Sequence, residues 1–192
     1  MPVRDYTTYA LDGWLASGRC EFLAKIDELV RRTIHPHDNI AALDLGNAEL
    51  RWSYTVFLQS IVRLLAMSEE RGIDADLAAY AKAILLHYAR WMAEHETFYL
   101  DRPEQLEYPT ETWAAQELRK ANVLVAASRY VSAPDSLSFR KKTDWFYGRG
   151  WCHRSSRKVD LSLRFPQYAE SCAAIYMQSP RWPGPPDGRP PS

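Results

Sequence analysis

Residues 49–95 read ELRWSYTVFLQSIVRLLAMSEERGIDADLAAYAKAILLHYARWMAEH, and this stretch decides the fold. Across residues 49–71, Leu50, Tyr54, Phe57, Ile61, Leu64 and Leu65 recur at three- and four-residue steps, the spacing of one face of an α-helix. Val56, Leu58 and Val62 widen that face, so neighbours are expected on more than one side. Asn47 supplies an N-cap acceptor, and Gly72 a residue that tolerates positive φ just past the helix end. Asp74 then caps a second helix with the stripe Leu77, Ala81, Ile84, Leu85, Tyr88, Trp91, Met92 and His95. Gly72-Ile73-Asp74 alone separates the two, a link so short that the helices must be antiparallel neighbours.

Outward from this hairpin the helical pattern continues. Residues 96–109 form a loop punctuated by Pro103 and Pro109. A third helix starts at Thr110 or Thr112 and ends before Pro134, with Trp113, Ala114, Leu118, Ala121, Leu124, Val125 and Ser128 inward. Upstream, residues 20–32 make another helix through Phe22, Leu23, Ile26, Leu29 and Val30, and residues 5–16 a shorter one. Short helices are also expected over 136–147 and 167–177. No strong alternation of apolar residues lies between turn signals, so no substantial sheet is expected. The last fourteen residues, SPRWPGPPDGRPPS, contain six prolines and read as a disordered tail. The expected organisation is all-α, with antiparallel helical hairpins in a single domain over 1–178 and a Pro-rich tail over 179–192.

Bulk properties narrow the function classes. With 192 residues and 46% hydrophobic composition, the chain can bury one sizeable core. Lys plus Arg and Asp plus Glu are equal at 24 each, so the whole molecule has no electrostatic preference for nucleic acid or anionic membrane. Cys20, Cys152 and Cys172 are odd in number and lack the paired spacing of zinc sites or disulfide frameworks, which points to a reducing compartment. The N-terminus lacks the apolar core of a secretory signal, and no segment approaches the ~18 apolar residues of a spanning helix. A cytoplasmic protein without membrane contact is the expectation.

At Leu106-Glu107-Tyr108-Pro109-Thr110-Glu111-Thr112-Trp113-Ala114-Ala115-Gln116 the chain resembles the helix entrances of (α/α)-toroid proteins, the six-hairpin glycosidase-like group. In that group a Pro with acidic and Trp neighbours opens an inner helix at the mouth of a saccharide-binding cleft. The resemblance covers residues 40–131. It implies a partial toroid-like layer, a saccharide ligand and a place in carbohydrate metabolism. Such an incomplete helical layer is expected to cover its apolar surface by self-association or with a partner chain that completes it.

Connectivity points to the same end of the molecule. If the helices starting near Asn47, Asp74 and Thr110 run up, down and up, one end collects Asp44, Asn47, Glu49, Arg51 and Trp52 with His95, Glu96, Asp101, Glu107, Tyr108, Glu111 and Trp113. Glycoside hydrolysis needs one protonated acid, one ionised base or nucleophile, and flat apolar surfaces for sugar faces. Glu111 with Glu107 or Asp44 is the expected catalytic pair, and Trp113, Trp52, Tyr108, Arg51 and His95 are the expected substrate-binding residues. The competing reading is a non-catalytic helical scaffold or interaction domain. First-turn acids such as Glu49 and Glu111 stabilise a helix through its dipole, and rings at helix starts commonly pack.

Other motifs carry less. His35-Pro36-His37-Asp38 offers metal-ligand types, but no second cluster completes a site, so it reads as a surface loop and no metal is expected. His95-Glu96 has Tyr99 where the helical zinc-protease pattern requires histidine. Cys152-His153 are adjacent in sequence, which does not make a nucleophile and base face each other. Phosphate loops, nucleophile elbows and dinucleotide fingerprints are absent, so no cofactor is implied. Residues 140–158 combine Arg140, Lys141, Lys142, Arg149, Arg154, Arg157 and Lys158 with Trp145, Phe146, Tyr147 and Trp151. That composition suits an anionic polymer, or a solvated basic surface whose rings tuck into the core.

Overall fold

The computed structural model describes residues 6–155, which fold as helices without a strand among the described residues. Of the described residues, 6–154 belong to one compact unit. The helix expected over 167–177, the domain boundary at 178, the tail over 179–192 and Cys172 lie outside the described residues.

The chain opens with a hairpin of α1 (Tyr6–Ser17) and α2 (Cys20–Thr33). Gly18 turns it with φ +67°, and its N–H donates to the Trp14 carbonyl at 2.8 Å. Gly13 lets the helices approach, since a Cβ there would lie 2.5 Å from the Phe22 ring. A turn of 3-10 helix at Ile40–Leu43 leads to α3 (Ala48–Arg51), α4 (Ser53–Arg71) and α5 (Ala75–His95).

The helix expected across 49–71 is therefore broken once, at Trp52. Its carbonyl accepts from the Thr55 N–H at 3.1 Å and the Thr55 hydroxyl at 2.8 Å, which draws it out of the regular helical ladder. The break changes the phase, and Leu50, placed inward by periodicity, is 72% exposed. Asn47 does cap, its side chain accepting from the Leu50 N–H, but it caps the short α3.

The tight turn forms as expected. Gly72 has φ +70° and bonds back to Ser68, while Asp74 accepts from the N–H groups of Asp76 and Leu77 at 2.8 and 3.1 Å. Leu77, Ala81, Ile84, Leu85, Tyr88 and Met92 are buried along α5 against Phe57, Leu58, Ile61, Leu64 and Leu65 of α4. The loop then passes through 3-10 turns at Tyr99–Asp101 and Pro103–Gln105 into α6 (Glu111–Ala127). Helices α4, α5 and α6 each touch the other two, and α1 leans on α4. Helix α7 (Ala133–Ser155) runs longer than the expected 136–147 and buries Phe139 and Phe146. No described helix is long and apolar enough to cross a membrane.

Candidate functional site

The inward face of α6 is not uniformly apolar. Trp113, Glu117, Lys120 and Leu124 follow one another at four- and three-residue steps, so all share the buried stripe, while Leu118 and Val125 are only half-buried. Glu117 and Lys120 have no exposed surface. The Lys120 Nζ lies 2.8 Å from Oε2 of Glu96 and 3.2 Å from Oε2 of Glu117, and donates to the Thr97 carbonyl at 2.8 Å. It also sits 3.3 Å from the centroid of the Tyr99 ring and 5.0 Å from that of Phe146. Oε1 of Glu117 accepts from the Tyr99 N–H at 2.7 Å, and the Tyr54 hydroxyl donates to Oε1 of Glu96.

Two carboxylates thus share one ammonium inside the protein. Burial pushes the Glu117 carboxyl up to about 7, with Lys120 and the Tyr99 N–H pulling the other way and Glu96 adding to the rise. Burial, and then the charge of Glu96, push the Tyr54 and Tyr99 hydroxyls far up, so both remain protonated. The nearby Lys142 of α7 is pulled down by its own partial burial.

Beside this cluster a small cleft opens between the end of α5 and residues 97–106. Its volume is about 60 Å³, room for a few waters, and Trp91, His95, Glu96, Tyr99, Arg102 and Leu106 are among its walls. The Trp91 and His95 rings stack within 10° of parallel, centroids 5.5 Å apart. His95 Nδ1–H donates to the Trp91 carbonyl at 3.1 Å, a role imposed by an acceptor that cannot donate. The Tyr99 hydroxyl is buried without a hydrogen-bond partner among the described residues.

The helix ends that chain direction brings together do meet. Ala48, Tyr99, Leu106 and Trp113 form a second, smaller apolar core, with Trp52 and Leu100 against it. Trp113 is buried there, its Nε1–H donating to the Tyr108 carbonyl at 3.0 Å and its ring meeting Tyr99 at 5.3 Å. Trp52 is half-buried with the Arg119 guanidinium 5.5 Å from its ring. Asp44, Arg51, Glu107 and Tyr108 are exposed and Glu111 half-buried. Asp44 sits in the left-handed region at φ 50°, and the Glu107 N–H donates to Glu49 at 2.7 Å. Among the expected site residues, His95 alone lines the cleft; the carboxylates of Asp44, Glu107 and Glu111 do not. The sequence reading passed over Glu117 and Lys120, although their spacing from Trp113 and Leu124 already placed them on the buried stripe.

The side chains of Trp151, Cys152, His153 and Arg154 and all of residues 156–158 lie outside the described residues, whereas the His35-Pro36-His37-Asp38 motif is a structural tie. His35 Nδ1 meets the Tyr80 hydroxyl at 2.7 Å, the Tyr88 hydroxyl donates to Asp38 at 2.6 Å, and His87 donates to the Asp38 carbonyl at 2.8 Å. These bonds pin the 35–38 loop to α5, and the described residues contain no group of metal-ligating side chains. On α7, Arg149 pairs with Asp101 at 2.8 Å and covers the Phe98 and Trp145 rings, while Phe146 is fully buried. Trp145 and Phe146 pack edge-on against each other, and Trp145 against Phe98. Comparison with protein-family models, curated proteins and solved structures finds no match to this chain.

Proposed function

We propose that the chain is a saccharide-binding helical protein, a portion of an α/α-toroid, with the sugar held at the cleft between the end of α5 and residues 97–106. The observation that carries the reading is the lining of one cleft by the parallel Trp91 and His95 rings together with Arg102. Flat rings suit the apolar face of a sugar, and a few convergent polar groups suit its hydroxyls. The recess is small, so a single hydroxyl or hydroxymethyl group enters it while the ring lies at its mouth against His95, which is exposed. In a hydrolytic version of this reading, Glu111 with Glu107 or Asp44 supplies acid and base.

The test is tryptophan fluorescence of the full chain titrated with a panel of neutral and acidic mono- and oligosaccharides. Saturable change is expected, weakened at least tenfold in His95→Ala and Arg102→Ala at unchanged melting temperature. No saturable response to any sugar overturns the proposal. Release of reducing ends, lost in Glu111→Gln, separates cleavage from binding alone.

A second reading, a helical interaction domain, is favoured by the packing of Trp113 and by exposed Leu50 and Tyr108 near the same end. Concentration-dependent self-association that Leu50→Glu abolishes, without sugar binding, supports it.

A further inference from the structure

Among the described residues, Glu96 is the one acid in the walls of the cleft, and it is already committed. Its oxygens bond inside the protein, one accepting from the Tyr54 hydroxyl and the other 2.8 Å from Lys120. Deeper in, Lys120 and the nearby Lys142 stand against Glu96 and Glu117, so the interior turns no uncompensated negative charge toward the cleft. Arg102 differs, because its side chain has no ion-pair or hydrogen-bond partner among the described residues. Asp101, beside it in sequence, is held by both terminal nitrogens of Arg149, one of them at 2.8 Å. Resting on the saccharide reading above, we propose that the cleft selects an acidic sugar, a uronate residue whose carboxylate enters the recess against Arg102.

Donors stand free among the wall residues. Arg102 carries N–H groups and no acceptor, and the Tyr99 hydroxyl is buried without a hydrogen-bond partner among the described residues. A ligand that brings acceptor oxygens and a negative charge answers both. Thr97 and Gln105, also in the walls, are neutral and able to donate or accept, so they serve a hydroxyl and a carboxylate alike. Glu94, 4.0 Å from His95, and Glu104 are not wall residues. Within the described walls, then, no carboxylate is left over to neutralise Arg102 before a ligand does.

The size of the recess narrows the choice to one substituent. About 60 Å³ admits a hydroxymethyl or a carboxylate but not a second sugar ring. These two groups occupy the same place on a hexose and differ in chemistry. A hydroxymethyl brings one hydroxyl and no charge, whereas a carboxylate brings two acceptor oxygens and the charge that pairs with Arg102. A guanidinium takes both oxygens of a carboxylate at once through its planar fork, which gives direction as well as attraction. The apolar ring face that stacks on His95 is common to the neutral and the acidic sugar, so the substituent in the recess alone decides between them. Because Arg102 is exposed, salt should weaken that preference.

The experiment titrates the full chain with the methyl glycosides of glucose, glucuronate and glucuronamide and with their galactose counterparts, read by tryptophan fluorescence at low and at high sodium chloride. The amide keeps the size of the carboxylate without its charge. At low salt the uronate of at least one series should bind at least about tenfold more tightly than its neutral and amide partners, and high salt should shrink the difference. In Arg102→Gln the ratio of uronate to neutral affinity should fall to about one, at an unchanged melting temperature because the residue is exposed. Equal affinity for neutral, amide and acidic sugars in the wild type overturns this proposal and leaves saccharide binding standing. A preference that survives in Arg102→Gln also overturns it, since the carboxylate is then read elsewhere. Acetate that competes as well as the uronate shows an anion site with no requirement for a sugar, and overturns both readings. If none of these glycosides binds, the uronate proposal falls, and the wider sugar panel judges saccharide binding by itself.

Discussion

Leu85 on α5 and Lys120 on α6 are equally hidden, each with no exposed surface, yet they sit in opposite kinds of interior. Around Leu85 the neighbours are aliphatic and aromatic, and the contacts are non-directional. Around Lys120 each partner is a specific atom: two carboxylates, a carbonyl and an aromatic face. The first environment stabilises by area removed from water. The second trades desolvation against pairing, and its net worth depends on whether every charge keeps its partner. One helical bundle thus holds a region governed by shape and a region governed by the pairing of charges.

Removing the shared cation should have the largest effect. Lys120→Met leaves Glu96 and Glu117 facing one another in the interior, and urea unfolding at pH 8 should show a loss of about 3–5 kcal/mol. A loss below about 1 kcal/mol would erase the distinction between the two regions. Leu85→Ala should cost about 2–5 kcal/mol through the cavity it leaves, against about 0.5 kcal/mol or less for the exposed Arg71→Ala. Equal costs at these two positions would mean the apolar region is not where the core resides.

The pH response should divide the regions more sharply. Glu117 has a raised value in the folded state, so its contribution is fully present below about 4.5 and lost as pH rises to about 7. Wild-type stability should accordingly fall relative to Glu117→Gln across that window, whereas Leu85→Ala should shift wild-type stability by the same amount at every pH. Paired denaturation curves at pH 5 and pH 8 check both. The smallest effect is expected at the start of α6, where Glu111→Gln removes a first-turn charge and should lower stability by about 0.3–1 kcal/mol, screened by salt.

The apolar region was legible because its signal is local and repetitive. Leu77, Ala81, Ile84, Leu85, Tyr88 and Met92 are one periodic stripe, and Gly72 and Asp74 punctuate the turn. The candidate site was legible only in part. Chain direction correctly brought the start of α3, the loop after α5 and the start of α6 together in one small core. It gave no means of ranking polar residues there, because a first-turn acid such as Glu111 stabilises its helix through the dipole whether or not it has a further role. Glu117 and Lys120 carried a weaker signal, helical phase with Trp113 and Leu124, set against the general rarity of buried charge.

Sequence by itself determined the all-helical class, the antiparallel hairpin around Gly72-Ile73-Asp74 and the apolar faces, because these depend on interactions within a turn or two of helix. Tertiary structure alone decided the break at Trp52 that turns Leu50 outward, the extension of α7 beyond 136–147, and the joining of Tyr54, Glu96, Tyr99, Glu117 and Lys120. The last of these spans three helices and a loop. A charge can be buried only when partners distant in sequence arrive together, and no local pattern encodes that arrival.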